Sequence, residues 1–133
     1  MIRWIKGLLN QSEDDGIPDV PIKSLTTRDE LNAALEASVV VLYKHSPTCA
    51  VSTWSLREVQ RFVREHPDTA VYQIDVIHNG DLSNWIAEHF GIRHESPQAL
   101  VVRHGRDVWE TSHSGITADA LKKQVTPSGE SPE

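Results

Sequence analysis

Hydrophobic positions along this chain change period several times, and each change marks an element. Residues 39–43, VVVLY, form an unbroken β-branched run, the pattern of a central strand buried on both faces. The run stops at His45-Ser46-Pro47. Beyond it Leu56, Val59, Phe62 and Val63 recur at helical spacing while Arg57, Arg61 and Arg64 take other directions, which predicts a helix from about Cys49 with one core-facing stripe, closed by His66-Pro67. Residues 70–76 read as a strand and Asn79-Gly80 as a turn. Residues 82–90 read as a short helix, with Asp81 as its cap and Gly91 where a left-handed residue ends helices. Residues 98–103 and 107–111 flank His104-Gly105-Arg106 as a hairpin, and Thr117 caps a last helix ending near Val125. Ahead of the central strand, residues 20–25 suit a short edge strand. Thr27 and Glu30 have capping-box spacing at the start of a helix running to about Ala37.

The order is strand, helix, strand, helix, strand, helix, strand, strand, helix, so an α/β domain with a mixed central sheet and helices on both faces is expected over residues 18–125. Residues 1–17 are read as a short helix and linker. Trp4, Ile5, Leu8 and Leu9 share one side, and docking on the body is favoured over a membrane surface because two cationic residues give weak attachment. Residues 126–133 have nothing to bury and are expected to be a disordered tail.

Composition then narrows the classes. At 133 residues the chain suits one domain, and no apolar run approaches the ~18 residues of a membrane span. A formal charge of -6 argues against binding nucleic-acid phosphates. The first residues lack the long apolar stretch of a secretory signal, and a single cysteine cannot form an internal disulfide, so a reducing cytoplasm is the expected compartment.

That cysteine is the candidate for chemistry. Cys49 follows a central strand at the predicted start of a helix, where unsatisfied backbone N–H groups and the helix dipole favour a thiolate, and Lys44 and His45 are placed to add positive potential. A lowered thiol pKa raises the thiolate fraction but cuts intrinsic nucleophilicity through a Brønsted slope of ~0.4–0.5, so the main gain is as a leaving group. The bland alternative is a buried thiol acting as a small hydrophobe. Ser52, three residues on, cannot close a disulfide; it is either a cap or surface residue, or a hydrogen-bond donor to the sulfur one turn back. The seven histidines show no pair at i, i+4 spacing, so no metal site is expected. Trp54 and Trp85 are read as packing groups.

Two stretches, VVVLYKHSPTCAVS and the more specific GIRHESPQALVVRHGRDVWETSHSGIT, resemble the monothiol bacilliredoxin family, thioredoxin-like proteins of the bacillithiol system, over residues 25–121. The resemblance implies a thioredoxin-like fold with Cys49 as the redox thiol and a facing Ser96-Pro97 loop, Pro97 being cis. The backbone of Ser96 would then pair with an extended substrate segment, and Lys44, His45, Thr48, Ala50 and Ser52 would complete the substrate-binding set. His94 and Glu95, just before that loop, are candidates to line it. The implied activity is removal of bacillithiol from protein mixed disulfides, with bacillithiol as thiol co-substrate and with bacillithiolated client proteins and a second low-molecular-weight thiol as partners. One departure stands out: the family usually carries Pro after the cysteine, where this chain has Ala50, which leaves an extra amide donor there. The rival readings are a thioredoxin-like binding or adaptor module with Cys49 buried, and iron–sulfur carriage, since Cys49-Ala50-Val51-Ser52 is similar to the Cys-Gly-x-Ser of monothiol glutaredoxins.

Overall fold

The computed structural model describes residues 22–47 and 50–126, and the side chains of all of these except Ala50 and Val51. In chain order the elements are β1 (Lys23–Ser24), α1 (Arg28–Ala34), β2 (Val39–His45), α2 (Ala50–Glu65), β3 (Ala70–Asp75), α3 (Gly80–Phe90), β4 (Gln98–Arg103), β5 (Asp107–Ser112), a 3₁₀ turn (His113–Gly115) and α4 (Ala118–Val125). The sheet order is β1-β3-β2-β4-β5, with β1, β3 and β2 parallel and β4 and β5 antiparallel.

The β-branched run occupies the middle of this sheet: β2 lies between β3 and β4, and its alternate residues enter the cores on both faces. Side chains alternate along it. Val40 and Leu42 enter one core with Leu31 and Ala34 of α1 and Leu82 and Ile86 of α3. Val41 and Tyr43 enter the other with Val59 and Phe62 of α2 and Leu121 of α4. Local caps and one contact between helices fix the helix ends. Thr27 and Glu30 form the expected capping box on α1. Thr117 accepts from the Ala120 amide at the start of α4, while the Ala118 amide is taken from α2 by Glu58 Oε1 at 2.9 Å.

Several boundaries differ from the pattern. Within the described residues the edge strand covers only Lys23–Ser24, and residues 20–21 lie outside them. Helix α1 stops at Ala34 because Glu36 and Ala37 donate three residues back, which tightens the last turn out of α geometry. The cap position of α3 falls to Asn79 and not Asp81. Asn79 makes no side-chain cap bond, and Asp81 sits in the first turn, where its charge suits the dipole. Gly91 does end α3 at φ 67°, and the hairpin turn carries two successive left-handed residues, His104 and Gly105.

Trp85 packs as expected, stacked on His89 and under the Arg28 guanidinium, whereas Trp54 on α2 is 45% exposed and is no core residue. The expected helix and linker over residues 1–17 and the tail beyond Thr126 lie outside the described residues. Among the described residues no helix is long and apolar enough to cross a membrane.

Candidate thiol–disulfide exchange site

The C-terminal end of β2 organises the site, since consecutive residues there face opposite sides of the sheet. Tyr43 is fully buried on the α2 side. Its hydroxyl lies 3.0 Å from the carbonyl oxygen of Ser52, 2.6 Å from Ser55 Oγ and 3.3 Å from His45 Nδ1. The Ser46 amide donates to Ser52 Oγ at 3.2 Å. These bonds clamp the first turns of α2 against the strand it follows. Because α2 begins at Ala50, its first N–H groups lack intrahelical acceptors, and the positive end of its dipole lies there. Thr48 and Cys49, which precede Ala50 in the chain, lie outside the described residues. Ser52 is no surface residue: it is fully buried, and its hydroxyl proton has no acceptor among the described residues.

Lys44 faces the other side. It sits opposite Gln98 in the β2–β4 register, and both are fully buried. Its Nζ lies 3.2 Å from His94 Nδ1, the same nitrogen that Ser83 Oγ approaches at 3.2 Å. Gln98 Nε2 donates to the Arg93 carbonyl at 2.9 Å and to Glu110 Oε1 at 3.0 Å, leaving Gln98 Oε1 without a partner among the described residues. Burial pushes the Lys44 amine down to about 8, partly offset by the Glu110 charge. The ammonium is therefore an interior charge, on the face of the sheet opposite Tyr43. His45, half-buried, is held below the usual imidazole range by burial against a smaller opposing pull from Asp75. It is a neutral group near pH 7 and adds no full positive charge.

The third component precedes β4. The Ser96–Pro97 peptide is cis and Pro97 is buried. The Lys44–Gln98 pairing sets Pro97 alongside His45 at the same end of the sheet. The Pro97 carbonyl accepts from the His113 amide at 3.1 Å, and His113 holds a left-handed φ of 53°. Ser96 Oγ is buried with no partner among the described residues. The fold thus gathers His45, Ala50, Ser52, Ser96 and Pro97 at one end of the sheet and places Lys44 beneath it. His94 meets Lys44, and the Glu95 carboxylate lies 4.0 Å from Arg93. Tyr43, Ser55, Gln98 and His113 were not anticipated. The polar tip of Tyr43 at the end of an apolar strand was the one local signal, since a buried Tyr O–H needs a partner.

This arrangement, an α/β sheet with a helix N-terminus and an X–Pro loop converging at the end of its central strand, is the architecture of a thioredoxin-fold thiol oxidoreductase. Solved structures agree. A candidate oxidoreductase with a thioredoxin fold matches at 31% identity with a TM-score of 0.73, over 77% of this chain and 91% of that one. A single-substitution variant of the thioredoxin from Halobacterium salinarum matches at 26% identity and TM-score 0.63, over 81% and 89%. Oxidised mitochondrial thioredoxin 3 from Saccharomyces cerevisiae shares the fold at 17% identity and TM-score 0.63, over 78% and 92%. The family model described as monothiol bacilliredoxin BrxC matches residues 21–121, and the chain belongs to that family. A thiol redox role follows.

Proposed function

We propose that the protein is a monothiol thiol–disulfide oxidoreductase that removes bacillithiol from protein mixed disulfides through Cys49. The Cys49 thiolate attacks the bacillithiol sulfur of the mixed disulfide. A new S–S bond forms between Cys49 and bacillithiol, the client–bacillithiol bond breaks, and the client leaves as its thiolate, taking a proton from water. The thiolate of a second low-molecular-weight thiol or a dedicated reductant then attacks the bacillithiol sulfur of the adduct, forming a new disulfide with bacillithiol as the bond to Cys49 breaks and Cys49 leaves as its thiolate. Bacillithiol is a co-substrate here and no metal takes part.

The observation that carries this reading is Ser52: in the first turn of α2 and fully buried, it accepts from the Ser46 amide and puts a hydroxyl three residues after Cys49, where a second thiol would otherwise resolve the adduct. A hydroxyl cannot form a disulfide, so resolution has to come from outside the chain. The α2 N-terminus stabilises the departing Cys49 thiolate, and Ser96 and Pro97 receive the client segment in extended form, with Thr48, Ala50 and His45 around it. Reduced protein is incubated with a bacillithiolated client and intact masses are recorded. An adduct on wild type that is absent from Cys49→Ser is the expected result; no adduct on wild type, or equal client release by the variant, refutes the reading.

A further inference from the structure

The segment 91–97 carries Ser96 and Pro97 yet has no helix or strand of its own. Ile92 packs against the core, and beyond the α3 terminus and the Pro97–His113 bond the segment's polar ties among the described residues are to buried side chains: Gln98 to the Arg93 carbonyl, and Lys44 and Ser83 to His94 Nδ1. We propose that Lys44 and His94 form a tether that positions Ser96 and Pro97 for the client, and that protonation of His94 releases it. The proposal rests on the reading that this segment receives the client.

The chemistry of the two groups dictates the form of the bond. An ammonium has donors only, so His94 Nδ1 must be the acceptor, which fixes the tautomer with the proton on Nε2. Nε2 has no partner among the described residues, and His94 as a whole is exposed. Ser83 Oγ can likewise only donate to an unprotonated Nδ1. An imidazolium would turn the same nitrogen into a donor facing a donor and set two positive charges together. Lys44 is fully buried with this single hydrogen-bond partner among the described residues, a costly placement for an ammonium, and holding a neutral imidazole accounts for it. Other charged or titratable groups facing the pair are Glu110 from β5, acting on Lys44, and Arg93 and Glu95 from the segment itself. Burial and then Lys44 hold His94 below its usual range, against a smaller pull from Glu95. The tether is therefore closed near pH 7 and opens on acidification.

Asparagine at 94 places an amide oxygen near the Nδ1 position and does not titrate. The full-length chain is assayed for kcat and KM on a bacillithiolated client between about pH 5 and 8, where imidazoles titrate. His94→Asn should keep kcat/KM within about threefold at pH 7 and lose an acid limb that wild type shows, while His94→Ala and Lys44→Met raise KM about tenfold with little change in kcat. Because His45 and Cys49 titrate in every variant, the difference between wild type and His94→Asn isolates His94. Nitrogen-15 imidazole spectra of the reduced wild type should show Nδ1 unprotonated and Nε2 protonated at pH 7, a preference weakened in Lys44→Met. Acid limbs identical in wild type and His94→Asn, or a protonated Nδ1 at pH 7, overturn the tether. Wild type that releases no bacillithiol overturns the functional reading, and the client's role with it; the imidazole spectra still decide whether the Lys44–His94 bond exists.

Discussion

Replacing Lys44 with methionine separates what the buried ammonium costs the fold from what it does for the site. Methionine nearly matches lysine in reach, so the strand position stays filled while the charge disappears. In the unfolded chain the amine keeps its proton up to about 10.5, but in the fold burial lowers that point to about 8. Between those two values the unfolded state binds more protons, so stability rises with pH there; below about 8 the full penalty is present. At roughly 1.4 kcal/mol per pH unit the penalty is about 3.5 kcal/mol, and solvent screening past the exposed His94 reduces it to about 2. The variant also loses the hydrogen bond to His94, about 1 kcal/mol. Lys44→Met should therefore be more stable than wild type by about 1 kcal/mol at pH 7, and that advantage should vanish or reverse by about pH 10.5. Urea unfolding followed by tryptophan fluorescence at several pH values between these limits gives both curves, provided the m-values agree. A difference between the two proteins that stays flat across that range refutes the reasoning.

Two other substitutions test contacts that hold the site and the helix behind it. Tyr43→Phe removes the hydroxyl shared by Ser52, Ser55 and His45, and should cost about 1–3 kcal/mol in thermal unfolding; a Tm equal to wild type would show that the clamp on α2 does not depend on it. Gly115→Ala drives a Cβ into Thr111 Oγ1 and should lose about 1–3 kcal/mol, most of it recovered in the double variant with Thr111→Ala; failure of that rescue would place the strain elsewhere.

Most of the architecture was legible because it rests on local periods. The run at 39–43 became β2, the stripe through Val59 and Phe62 became the core face of α2, and Thr27 with Glu30 became a capping box. Boundaries set by competing local bonds were less legible: α1 stops three residues early, and α3 takes Asn79 at its cap position. The site was legible only in part. Strand position brought Lys44 and His45 to the same end of the sheet, but alternation sends them to opposite faces, and Lys44, two residues after Leu42, follows Leu42 into the core. Gln98 and Tyr43 went unnoticed because a polar residue beside an apolar run does not reveal its partner.

Residue order alone thus decided which segments are strands and which are helices, and where a solitary thiol enters between them, since hydrophobic period, β-branching and capping act within a few neighbours along the chain. Folding decided the rest. The Lys44–Gln98 register, 54 residues apart in the chain, brings His94 onto a buried ammonium, and the packing of α4 on α2 brings Glu58 to Ala118 across 60 positions. Such pairings depend on how strands align and helices settle across the sheet, and no local period encodes that alignment.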